Sequence, residues 1–262
     1  MGVIRTDKWL LEFYKDPIEL CKNLTKYFYG VNEEDIYIHL VAHGMYRYPK
    51  KSGTELVQSF KKNNVWEIIE REKNILQKKW QGPNVPIFIF PVDTNNRKID
   101  KVTGGKSGLA FKDKLFIFIS SKHTNNEIKA LFTHEYNHIC RLENFSKKES
   151  DYVLLDTIIL EGLAENAVHN RIGKDFVAPW TKYYSTTELK KIWTKIIYPN
   201  RKISNLHPKH QKILYGLRLY PEMAGYAVGY FLVKEYMTKK KLTDQELLSI
   251  PSEKIAQIEP EK

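Results

Sequence analysis

Hydrophobic positions along the chain follow two different periods. Residues 85–93, VPIFIFPVD, and 114–120, KLFIFIS, are short, nearly continuous runs of Ile, Phe and Val, the composition of buried strands. Most of the remaining chain repeats near the helical period. Residues 7–29 and 32–47 read as helical, the second stretch ending at Pro49 and Gly53, and residues 54–80 as one long amphipathic helix. Between the two strand runs, Gly104, Gly105 and Gly108 are turn signals, and residues 112–114 form a hairpin tip. After the strands the pattern turns helical again. Thr124 and Glu127 make a capping box (T-x-x-E) that opens a helix. A further helix covers roughly 151–172 and stops at Gly173, and Ser185 with Glu188 opens another. Pro221 stands at a helix start, and Thr243 with Glu246 caps a last short helix. The order is helices, a small sheet, then helices. That predicts an α+β fold with a helical part over 1–84 and a second part over 85–262, together one compact unit.

Composition narrows the class. A hydrophobic share of 42%, with 5 Trp, 16 Tyr and 12 Phe in 262 residues, supports a folded globular chain with a sizeable core. The 42 Lys+Arg against 31 Asp+Glu give a formal charge of +11 and an affinity for acidic partners. The lysines are scattered and form no nucleic-acid motif, so they read as a solvated surface with no specific nucleic-acid partner. The tightest run, Lys239 to Lys241, falls at a helix end, where cations suit the dipole. Two cysteines, Cys21 and Cys140, exclude a disulfide framework and fit a reducing compartment. The N-terminal stretch MGVIRTDKWLLEFYKD has no long apolar h-region, so no secretory leader is expected, and no run approaches the length of a membrane span. The opening MGVIRT fits the permissive myristoylation pattern M-G-x-x-x-[ST], but a soluble cytoplasmic protein is the expectation.

The chemistry gathers in ALFTHEYNHICRL, which starts at Ala130 and contains His134, Glu135 and His138 as H-E-x-x-H. On a helix the two histidines lie one turn apart on one face, so both imidazoles can point at one ion. Glu135 is rotated about 100° from His134, which suits a general base acting on water better than a ligand. Phe132, Tyr136 and Ile139 supply an apolar face for burial. A catalytic zinc needs a third protein ligand and an open position. Glu161, Glu165 and His169 stand at i, i+4 and i+8 in LDTIILEGLAENAVHNRIG. Glu161, preceded by TIIL and followed by Gly162 and Ala164, is the carboxylate most expensive to bury without a partner. A substrate strand needs an open edge, and KSGLAFK (106–112) is glycine-bearing and can be approached closely. For an oxyanion donor the candidates are Tyr226, Tyr230, His169, Arg171 and His210; the two tyrosines with Gly225 and Gly229 also read as tight helix packing. Asp156 or Glu165 could orient a ligand histidine from behind. His39 and His43 form a second i, i+4 pair but lack the glutamate, and His207 and His210 read as surface residues at a helix start. No phosphate-binding loop, Rossmann fingerprint or G-x-S-x-G is present.

HEYNH followed 23 residues later by EGLAE resembles the glutamate-zincins, in which a glutamate on the next helix completes the zinc site. In the aminopeptidase-N group that glutamate is followed by Gly, an apolar residue and Ala, as Glu161 is here. By that resemblance Glu161, not Glu165, is the third ligand to one zinc ion per chain. Over most of residues 55–240 the chain is similar to the YjaZ-like family of predicted bacterial zinc peptidases, through GGKSGLAF, HEYNHICR, EGLAE and GYAVGY. The resemblance implies a zincin-like fold and a metallopeptidase of peptide or unfolded-protein substrates. It also implies an edge strand at Gly108–Phe111 for the substrate and Tyr226 as first choice of oxyanion donor. The rival expectations are a catalytically inactive, chaperone-like or metal-stabilised binding protein, and a basic nucleic-acid-associated factor.

Overall fold

The computed structural model describes residues 2–49, 53–97, 99–100 and 104–258. Met1 of the MGVIRT pattern and residues 101–103 of the segment between the strands lie outside them. The chain is α+β and mostly helical, with a small mixed sheet of three strands. Its contacts divide it into two compact units, Met1–Ile139 and Cys140–Lys262.

The first unit opens with α1 (Thr6–Phe13), α2 (Pro17–Lys22), α3 (Glu33–Ala42), α4 (Gly53–Lys62) and α5 (Val65–Trp80). Two expected helices are in fact broken. Residues 7–29 split because Pro17 starts a new helix, capped by the Asp16 side chain accepting from the Glu19 amide. Residues 54–80 split at Asn64, which takes the left-handed conformation with φ 52°. Asparagine tolerates that conformation, and the turn lets Phe60 and Trp66, on either side of it, both point inward. Helix α3 stops at Ala42, short of residue 47, and Met45 then bridges to Val92 beyond the first strand.

The sheet has the order β1 (Ile87–Pro91), β3 (Leu115–Ile119), β2 (Ser107–Ala110). β1 and β3 run parallel, and every residue of IFIFP and LFIFI is buried, as strands covered on both faces require. Phe88 and Phe116 stack at 4.9 Å, and Phe118 stacks on Phe116 at 6.5 Å. β2 is antiparallel to β3, half-buried and at the edge. The hairpin closes with the Phe111 amide donating to the Lys114 carbonyl at 2.9 Å, so the predicted tip at 112–114 is present. Alternation from that bonded pair directs the N–H and C=O of Gly108 and Ala110 away from β3, toward the open edge. Helix α6 (Asn125–Asn144) follows, opened by the predicted Thr124–Glu127 box, and the division between the units falls inside it.

The second unit contains α7 (Leu154–Arg171), α8 (Thr186–Ile192) running into a π-helical turn at Trp193–Ile197, α9 (Pro208–Tyr215) and α10 (Ala224–Lys240). Two short helices, Asp244–Leu247 and Ser252–Ile255, end the described chain. The capping boxes of Ser185–Glu188 and Thr243–Glu246 form as expected. Pro221 does not begin a helix. Met223, left-handed with φ 53°, turns the chain and α10 starts at Ala224. The core lies where α7 and α10 cross, among Ile158, Ile159, Leu163, Val228 and Leu232. Among the described residues no helix is long and apolar enough to cross a membrane.

Candidate metal centre

Helix α6 positions its motif by burying Phe132, Tyr136 and Ile139. Tyr136 stacks on Phe132 at 5.5 Å and on Trp80 at 6.2 Å, and its hydroxyl donates to the Pro83 carbonyl at 2.9 Å. With that face fixed, the helical period brings His134 and His138 together, their rings 4.6 Å apart and nearly perpendicular. Glu135 is buried and lies against the edge strand. A Cβ built on Gly108 would come within 2.3 Å of Glu135 Cγ and Cδ, so only a glycine lets the strand approach this carboxyl so closely.

Helix α7 carries Glu161 beside Gly162, and that glycine has a mechanical reason. A Cβ on Gly162 would meet the Gly229 carbonyl oxygen at 2.3 Å, and one on Gly229 would meet the Ile158 oxygen at 1.8 Å. α7 and α10 therefore cross with their backbones in contact. The buried Asn166 locks the crossing, its Nδ2 donating to the carbonyls of Gly162 (2.8 Å) and Tyr230 (3.0 Å). The first turn of α7 is tied to the last turns of the motif helix. Arg141, one turn past His138, donates from Nη1 to the carbonyls of Leu248 (2.7 Å) and Ile250 (2.8 Å) and from Nη2 to Ser252 Oγ (3.4 Å). Ser252 Oγ in turn donates to Asp156 Oδ1 at 2.7 Å. Burial lowers the Arg141 guanidinium to about 10, with Asp156 pulling the other way, so it stays charged at neutral pH.

His134, His138 and Glu161 each offer one ligand atom, all within 4.8 Å of one another, the one group of this kind among the described residues. Two imidazoles and one carboxylate are the three-ligand set of a zinc with an open position. Tetrahedral bonds of about 2.0–2.1 Å space donors about 3.3 Å apart, so side-chain movements of about an ångström would close the set. The residues fit the ion.

The other candidate residues have the following surroundings. Asp156 accepts from Lys147 Nζ (2.9 Å), Ser252 Oγ and the Val153 amide (3.3 Å); none of these is a histidine, so it braces the helices instead of orienting a ligand. Glu165 accepts from the Ala178 amide. His169 and Arg171 lie in the last turn of α7. His210 is not a surface residue: it is buried, with Nε2 on Thr157 Oγ1 at 3.0 Å, and burial lowers its pKa. His39 and His43 are outside the metal-type group, their rings 4.4 Å apart. Tyr226 donates to the hydroxyl of Tyr215 at 3.3 Å and packs on Trp180. Tyr215 belongs to none of the sequence motifs. Burial pushes its phenol up, opposed by the bond from Tyr226 and reinforced by the Glu161 carboxylate. The sequence signal that bears on it is Gly216, the left-handed cap that ends α9 immediately after it.

A family model described as "Predicted Zn-dependent protease (DUF2268)" matches residues 65–257. The chain is also 41% identical over 256 residues to the uncharacterized protein YjaZ of Bacillus subtilis (strain 168), covering 97% of each chain. No solved structure matches it. Matched over this much of its length, the chain belongs to the DUF2268 family of predicted Zn-dependent proteases.

Proposed function

We propose that the protein is a single-zinc metallopeptidase of glutamate-zincin type that cleaves peptides or unfolded proteins. The observation that carries this reading is the grouping of His134, His138 and Glu161, with Glu135 beside them in sequence but turned to the edge strand. The family description supports the same chemistry. His134, His138 and Glu161 would hold the ion. A zinc bound there would supply Lewis-acid polarisation of a carbonyl and a lowered pKa for water. Glu135 takes the proton of the attacking water and passes it to the departing amine as the C–N bond breaks. The outward N–H and C=O groups of Gly108 and Ala110 can pair with an extended substrate backbone, and Gly108 leaves room beside Glu135. Cys21 and Cys140, both buried and in no disulfide, suit a reducing, cytoplasmic setting.

Metal analysis and peptide cleavage test the reading together. The purified protein should carry about one zinc per chain. His134→Ala should lose it. Glu135→Gln should keep it while cleavage of an unfolded-protein substrate falls by about 10²–10⁴-fold. Zinc bound without any cleavage would point to the non-catalytic binding protein, and no zinc uptake at neutral pH would sink both.

A further inference from the structure

We infer that the second unit carries a docking groove for an acidic polypeptide segment with interleaved apolar residues. The groove encloses about 780 Å³ and shares no residue with the metal-type group. Arg201, Lys202, Lys239, Lys240 and Lys254 line it, against one carboxylate, Glu253, among its described lining residues. Val153, Pro251 and Ile258, each with accessible surface, also line it and form an apolar floor over the buried Leu155 and Tyr236.

The cations come from three separate stretches of chain that the fold brings to one place. The Leu155 amide donates to the Arg201 carbonyl at 3.0 Å, and Val153 bridges Ser204, so the segment after the π-helical turn runs beside the start of α7. Lys239 and Lys240 end α10, and Lys239 Nζ donates to Gln257 Oε1 at 2.7 Å, which ties that helix end to the C-terminal turn holding Lys254. The Arg201 guanidinium is held over the Tyr198 ring at 4.1 Å. The partial negative charge of the α10 C-terminus amounts to about half a unit and offsets little of this. Among the described residues none of Lys239, Lys240 and Lys254 has a carboxylate partner.

Shape and lining choose among anionic partners. A bilayer would need a projecting surface, and this one is concave. A single-stranded nucleic acid would stack its bases on exposed rings, whereas Tyr236, the one aromatic ring among the described lining residues, is 3% exposed. An extended peptide can place apolar side chains on the floor and carboxylates against the rims.

Fluorescence anisotropy with the intact protein tests this, using a labelled peptide of about twelve residues alternating Glu with Leu or Val. Binding at about 50 mM salt should weaken about tenfold or more in Lys239→Glu/Lys240→Glu, with the all-Gln version of the peptide, and at about 300 mM salt. Lys190→Glu/Lys191→Glu, an exposed pair outside the groove, should bind as the parent does. Thermal melting checks that each variant folds, and Lys254→Glu replaces the double variant if that one does not. The inference is overturned by undetectable binding, by equal weakening in the Lys190/Lys191 pair, or by undiminished affinity for the Gln peptide. It is equally overturned if an oligothymidylate or phosphatidylserine vesicles bind more tightly than the peptide in a manner the Lys239/Lys240 reversal abolishes. Because the readout is binding alone, Glu135→Gln should bind the peptide normally, which separates this result from failure of the hydrolytic reading.

Discussion

Helix α6, with its two histidines, is held by large side chains: Phe132, Tyr136 and Trp80 stack along one face. Helix α7, with its glutamate, is held by side chains that are absent: Gly162 and Gly229 let two backbones touch. Both helices are long and both sit in well-filled cores, yet they should respond differently to mutation. Ring packing loses contacts gradually as atoms are removed. A backbone contact has no slack, so adding one carbon forces the helices apart, and the carboxylate on α7 would move with its helix.

The sharpest way to break this comparison is Gly229→Val. Its Cβ would overlap the Ile158 carbonyl, so we expect a loss of about 4 kcal/mol or more, or failure to fold, in urea unfolding. A variant as stable as the parent would show that the helix crossing has slack after all. Next is Arg141→Met, which deprives the Leu248 and Ile250 carbonyls of their donor and removes the charge near buried Asp156. That should cost about 3 kcal/mol and lower zinc affinity by displacing α7 from the end of α6. Zinc titration beside the unfolding curve checks both effects. Phe132→Leu, on the ring-packed helix, should cost only about 1 kcal/mol, with zinc binding retained. A loss as large as that of Gly229→Val would erase the distinction between the two helices.

The smallest effect is a pH dependence in the second unit. Burial holds His210 neutral, its folded pKa below the unfolded value of about 6.5. Its contribution is therefore complete above that value and is lost as pH falls through the window down to the lowered folded pKa. Melting temperatures between about pH 7.5 and 5.5 should fall more for the parent than for His210→Gln. Parallel slopes would remove His210 from the account.

What could be read from the sequence follows the range of the interactions involved. The Thr124–Glu127 box, the Ile/Phe strands and the His134–His138 spacing are local patterns, and they appear where expected. The break at Asn64 was missed because hydrophobic periodicity continues on both sides of it; the paired asparagines before Val65 were the available clue. The buried His210 finds its hydrogen-bond partner in Thr157, 53 positions away, and no local pattern reports that. Gly162 stands in the sequence as part of a family signature, while its physical partner, Gly229, lies on another helix. The lysines looked scattered because Arg201, Lys239 and Lys254 are distant along the chain and meet only in the folded unit.

The open edge of β2 has a second consequence, for life in a crowded solution. A strand whose outward N–H and C=O groups could pair with an extended peptide offers them equally to the same strand of another molecule, the first step toward aggregation. Short length limits that hazard, since Ser107–Ala110 is only 4 residues. Lys106 and Lys112 bracket the strand at its two ends, so a self-paired copy running antiparallel would bring like charges together. The stretch KSGLAFK thus leaves its middle accessible while its ends discourage sheet growth.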